Sequence, residues 1–181
     1  MALRYAVLGL LSKEQLTGYD LTQKFHSHIS HFWNAHHTQI YRELQKLEGD
    51  GLVSHQLVEQ QDRPDKKIYA LTDLGLQDLL VWMGEAPKNP SMKNETLLRV
   101  SLFHLIPPTQ AIEFLEASKA NYEQVLFAMQ NWGTENLGAA VDAPTREQIG
   151  DVLTLNFGMR YVQTWIEWCE YAIRMFRSLA E

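Results

Sequence analysis

The chain is 181 residues long, 45% hydrophobic and 21% charged, so it is globular material for one large or two small domains and not a disordered tail. Its net charge of −6 arises from eight basic and eleven acidic side chains on each side of residue 86, so there is no basic arm and nucleic-acid binding requires a local patch. The lone Cys169 excludes an intramolecular disulfide framework and a multi-cysteine zinc site. No apolar run approaches the ~18 to 20 residues that span a bilayer, and Met1 to Tyr5 make a poor signal peptide, so a soluble cytoplasmic protein is expected.

Leu3, Val7, Leu10 and Leu11 recur at helical spacing and predict a short amphipathic helix over residues 2–12. Thr17 and Asp20 fit the Thr-x-x-acid pattern that satisfies free N–H groups at a helix start, and Leu21, Phe25 and Ile29 follow as an apolar stripe. A third helix is predicted from about residue 35 to 48 with Ile40, Leu44 and Leu47 inward, ended by Gly49 and Gly51. Residues 52–60 and 66–71 read as two strands joined by the turn Asp62-Arg63-Pro64-Asp65. Thr72 caps a fourth helix that carries Leu74, Leu79, Leu80, Trp82 and Met83.

The run Ala86-Pro87-Lys88-Asn89-Pro90-Ser91 breaks the helical pattern, placing domains at 1–86 and 92–181 with a linker at 87–91. Beyond it nearly everything reads as helix: about 91–105, then 109–132, with Gly133 and Gly138 marking a loop and Pro144 opening a long final helix. Val152, Leu155, Met159, Val162, Ile166, Cys169, Ile173 and Phe176 alternate steps of 3 and 4, a heptad seam expected to pair two subunits, with an internal bundle core as the alternative. A second stripe (Leu153, Phe157, Tyr161, Trp165, Trp168, Met175) flanks it, and so wide an apolar face needs partners on two sides.

Three helices, a hairpin and a further helix is the order of a winged helix-turn-helix, whose second helix of the pair turns its polar face to the DNA major groove. Here that face holds His37, Gln39, Arg42 and Lys46, with Glu43 as a candidate further member and Tyr41 at its edge. Gln bonds bidentately to adenine and Arg to guanine, while Tyr reaches phosphate or packs on a base methyl. Arg63, Lys66 and Lys67 at the hairpin tip suit phosphate, partly offset by Asp62 and Asp65. The expected fold is therefore mainly α, with an α+β winged helix-turn-helix followed by an all-α dimerisation domain ending in a long helix.

Leu16-Thr17-Gly18-Tyr19-Asp20-Leu21, Phe32-Trp33, Gln39-Ile40-Tyr41-Arg42-Glu43-Leu44 and Gly51-Leu52-Val53 together resemble the PadR family of transcriptional regulators. Lys66 to Thr72 resembles its wing strand and the entry to its fourth helix. Trp165-Ile166-Glu167-Trp168 and the helical second half look like the branch containing the virulence activator AphA. The resemblance implies a cytoplasmic homodimer that binds double-stranded DNA, with base or phosphate contact at Gln39, Tyr41 and Arg42 and backbone contact at Lys66 and Lys67. Some members of the family respond to small phenolic or other effectors.

Other readings compete with this one. Tyr19, Phe32 and Trp33 could line an effector cleft, although such aromatics are more often core. His26, His28, His31, His36 and His37 suggest a metal sensor, but no companion Cys or carboxylate set accompanies them, so no metal or cofactor is expected. Cys169 on the seam reads as inert packing. No Gly-rich phosphate loop, Gly-x-Ser-x-Gly elbow or His-Glu-x-x-His is present, so no enzyme is expected. The alternative is a helical interaction module whose winged domain docks protein, a reading the acidic net charge favours.

Overall fold

The computed structural model describes residues 2–29, 33, 35–59, 66–87 and 93–180. The chain divides into two compact units, Met1–Lys88 and Asn89–Glu181, and the expected linker lies mostly outside the described residues.

In the first unit, α1 (Ala2–Leu11) packs on α2 (Gly18–His28), α3 (His37–Gly49) and α4 (Asp73–Gly84). Val7, Leu21, Phe25, Ile40, Leu44 and Leu47, all on stripes the helical spacing predicts, form the buried centre together with Leu8, which the spacing does not single out. Two caps act as expected. The Asp20 N–H donates to the Thr17 hydroxyl oxygen at 3.1 Å, and the Gly75 N–H donates to that of Thr72 at 3.0 Å. After α3 the chain reverses through Gly51, whose φ of +72° is a left-handed conformation that a side chain would disfavour.

Among the described residues the sheet has three strands, not two. β2 (Val53–Val58) and β3 (Lys66–Leu71) form the hairpin, with Val53 opposite Leu71 and Val58 opposite Lys66. β1 (Leu16–Thr17) joins the other edge of β3, Leu16 opposite Tyr69 and Thr17 opposite Ile68, for the order β1-β3-β2. Two residues are too few to show alternation, and their pairing partner is remote in sequence. β2 is also shorter than the 52–60 run, and the turn at 62–65 lies outside the described residues.

The second unit is an α-hairpin of α6 (Pro108–Asn136) and α7 (Ile149–Ala180), preceded by α5 (Glu95–Val100) and a 3₁₀ turn (Phe103–Leu105). The helix predicted over 91–105 is thus broken near Ser101. The break lets Phe103 enter the core, edge-on to Phe114 and Phe176 at 5.5 and 5.7 Å between ring centroids. α6 does not stop at Gly133. That glycine is buried in the last turn of α6, where a Cβ would stand 2.7 Å from Leu155 Cδ2, so its missing side chain lets α7 approach. A second 3₁₀ turn (Gly138–Val141) follows, and α7 begins at Ile149 instead of Pro144. The contacts run in opposite chain order: Glu116 to Arg177 (2.9 Å), Lys119 to Glu170 (3.0 Å), Tyr122 stacked on Trp165 (5.4 Å), Gly133 at Leu155. α6 and α7 are therefore antiparallel.

Candidate nucleic-acid interface

α3 is amphipathic, and tertiary packing settles which side is outward. Ile40, Leu44 and Leu47 are buried beneath it, leaving His37, Gln39, Arg42 and Lys46 exposed and Glu43 half-buried. Thr38 and Gln45 are exposed as well; Thr38, Arg42 and Gln45 follow the i, i+4, i+7 spacing of one ridge, a signal the sequence contained. Gln39 has a second task. Its side-chain oxygen accepts the His36 N–H at 2.9 Å and closes the helix start, so a bidentate adenine contact requires release of that bond. Tyr41 is 41% exposed, and its ring lies over Gly18 at the start of α2.

The far end of α3 is tied down by charge. Arg4 of α1 lies 3.3 Å from Asp78 of α4 and 4.0 Å from Asp50, the C-cap residue of α3. Glu48, in the last turn of α3, accepts a hydrogen bond from His55 Nδ1 on β2, which couples the recognition helix to the wing. Burial pushes the Tyr69 phenol above its ordinary value, with Glu48 and then Tyr41 adding to the shift.

Lys66 and Lys67 are exposed on β3, but successive strand residues point to opposite faces, so the two do not form one cationic cluster. Leu57 and Val58 opposite them are exposed too, making the wing less purely basic than expected. Arg63 lies outside the described residues. Of the aromatic trio, Tyr19 and Trp33 are exposed and not core of the first unit, and Phe32 lies outside the described residues. Among the described residues, no three His, Cys, Asp or Glu side chains are placed to hold a metal ion, and His26 Nδ1 lies 2.7 Å from the Thr22 carbonyl.

The residues of the expected heptad seam pack within the single chain. Leu155, Val162, Ile166, Cys169 and Ile173 are buried inside their own chain against α6, with Met159 and Phe176 partly buried beside them and Val152 at the margin. Their partners are in the same subunit because a hairpin of two long helices satisfies a 3-4 repeat internally. The flanking stripe is divided. Trp165 is buried, whereas Leu153 (61%), Phe157 (67%) and Tyr161 (52%) face outward. Burial also raises the Cys169 thiol above its ordinary value, with Lys119 opposing the shift. A shallow cavity of about 500 Å³ on the hairpin flank is lined by Leu126 and Met159 among others, and four of its polar side chains bond one another, Arg160 to Asn156 at 2.8 Å and Gln163 to Glu167 at 3.0 Å.

A winged helix that holds a polar ridge outward, joined to a helical hairpin, defines the winged-helix class of transcriptional regulators. Residues 7–80 match the transcriptional regulator PadR-like family, and residues 92–177 match the virulence activator alpha C-terminal region. The negative transcriptional regulator PadR of Bacillus subtilis (strain 168) is 30% identical over 176 residues, 96% of either chain. The chain belongs to the PadR family of transcriptional regulators, in the AphA-like branch, and that family is not one of enzymes. The crystal structure of Bacillus subtilis PadR with operator DNA aligns with a TM-score of 0.87 at 28% identity, over 97% of this chain and 99% of that one. The same protein with p-coumaric acid aligns at 0.81 and 29%, over 98% and 99%. The Vibrio cholerae virulence activator AphA shares the fold, with a TM-score of 0.78 at 24% identity over 98% and 99%. Among the described residues, no helix is long and apolar enough to cross a membrane.

Proposed function

We propose that this chain is a homodimeric, sequence-specific DNA-binding transcription factor that reads an inverted-repeat operator. The observation that carries the reading is the outward ridge of α3, with Arg42 and Lys46 held over the apolar seat of Ile40, Leu44 and Leu47. His37, Gln39, Tyr41, Arg42 and Lys46 would meet the major groove, and Arg63, Lys66 and Lys67 the flanking phosphates. The relative solved on operator DNA, similar over nearly the whole chain, supports this assignment.

Dimerisation belongs to the proposal, through the exposed ridge Leu153, Phe157 and Tyr161 with the buried seam as its support. A two-fold axis would place two recognition helices about 34 Å apart, one turn of the duplex. Response to a small effector is also proposed. The relative solved with p-coumaric acid supports it, and exposed Tyr19 and Trp33 are the candidate contacts in this chain.

The test is a gel-shift titration with the DNA upstream of the protein's own gene at two salt concentrations, repeated with p-coumaric acid. The expected result is a retarded band that weakens with salt as phosphate contacts exchange with counterions, and release by the acid. A protein-docking module, the reading the −6 charge favours, gives no retarded band at either salt.

A further inference from the structure

The start of α2 touches the recognition helix at one point where no side chain fits. Gly18 is buried, and a Cβ built on it would stand 2.5 Å from Cε1 of Tyr41, 3.1 Å from Cζ and 3.3 Å from the hydroxyl oxygen. Ordinary carbon contacts lie at about 3.5 to 4.0 Å, so the Cε1–Cζ edge of the phenol ring occupies the volume that any other residue at position 18 would fill. The backbone beneath the ring is fixed on both sides. Leu16 and Thr17 pair with Tyr69 and Ile68 of β3, and the Thr17 side chain caps α2 through the Asp20 N–H. The Thr22 hydroxyl donates to the Gly18 carbonyl at 2.8 Å, which secures the same peptide from the other direction. The ring itself is 41% exposed and turns about two side-chain torsions. A methyl group at position 18 therefore displaces the ring and leaves the backbone in place.

We infer that Gly18 is a positioning residue for DNA contact, its missing side chain forming the seat that aims the Tyr41 phenol from the edge of α3. The inference rests on the DNA-binding reading above. It assigns a role to a residue outside the recognition helix. Without the seat, Tyr41 has several rotamers to choose from, and binding DNA must select one of them.

The experiment is a double-mutant cycle on the full chain with Gly18→Ala, Tyr41→Ala and both together. Affinity is measured by fluorescence anisotropy on a duplex selected from a random pool by the wild type. Thermal stability and the ¹³C-tyrosine ring resonance of Tyr41 are followed without DNA. Gly18→Ala should weaken binding about five- to tenfold and shift the Tyr41 resonance. In the Tyr41→Ala background the clash is gone, so adding Gly18→Ala should change affinity less than about twofold and leave the melting temperature unmoved. Wild-type affinity for Gly18→Ala with an unshifted resonance overturns the inference. So do additive losses in the double variant, which would show that the methyl group acts on the backbone. A wild type that selects no duplex refutes the DNA-binding reading itself and the contact with it, while the stability cycle still decides whether the seat exists.

Discussion

Ile166→Ala separates a subunit seam from an internal core. Ile166 is 6% exposed and packs with Met129, Leu155 and Val162, with Tyr122, Leu126 and Met159 around them. Truncation of a buried isoleucine costs ~2 to 5 kcal/mol, depending on how far the site collapses. Met129 and Met159 are unbranched and fill gaps readily, so the lower part of that range, ~2 to 4 kcal/mol, is expected here. With a urea slope of about 2 kcal/mol/M the midpoint falls by ~1 to 2 M. The assay is urea unfolding followed by tryptophan fluorescence, since Trp132, Trp165 and Trp168 all lie in the hairpin unit, at low- and high-micromolar protein. A core residue gives the same loss at both concentrations. A loss that disappears as the protein concentration rises, or a midpoint unchanged at both, would refute the placement of Ile166 inside its own subunit.

Other outcomes are equally specific. Arg42→Ala should weaken operator binding by ~1 to 3 kcal/mol and relax preference at one base position, read by competition with mutated duplexes; unchanged affinity removes Arg42 from the interface. Lys67→Ala should weaken binding to all duplexes alike and lower the slope of log affinity against log salt by about one, whereas a sequence-dependent loss contradicts a phosphate role. Gly133→Ala places a methyl group 2.7 Å from Leu155 Cδ2 and should destabilise the hairpin by ~1 to 3 kcal/mol in the same urea assay; a neutral result means the helices separate freely there. Cys169, fully buried with its thiol raised above the ordinary value, should resist a thiol-specific disulfide reagent at pH 8 and react only on unfolding, so fast native labelling would disprove its burial.

Much of the first unit follows from short-range signals. The caps at Thr17 and Thr72 bridge three residues, and the stripe Ile40, Leu44, Leu47 repeats within two turns, so each is legible without knowledge of the rest of the chain. The strand β1 was not legible, because its hydrogen bonds go to Ile68 and Tyr69, far along the chain. Gly133 reads as a loop residue for a related reason. A glycine that ends a helix and one that lets a second helix approach are the same letter, and only the presence of Leu155 opposite distinguishes them. The candidate interface was partly legible: amphipathic spacing separates Arg42 and Lys46 from the buried positions, but the use of Gln39 in closing the helix start depends on the observed backbone geometry.

The long final helix marks the boundary most clearly. Its length and its two apolar stripes are written in the spacing of residues 152 to 176, since side chains three and four apart share a face of any helix. Nothing local ranks one stripe above the other, because both are hydrophobic and both repeat at helical period. The choice was made by α6, which offers Gly133 to Leu155, Tyr122 to Trp165 and Lys119 to Glu170, and so draws the heptad side inward while Phe157 and Tyr161 stay exposed on the single chain. Periodicity specifies that a face will be buried; the shape and charge of the element that meets it specify which face.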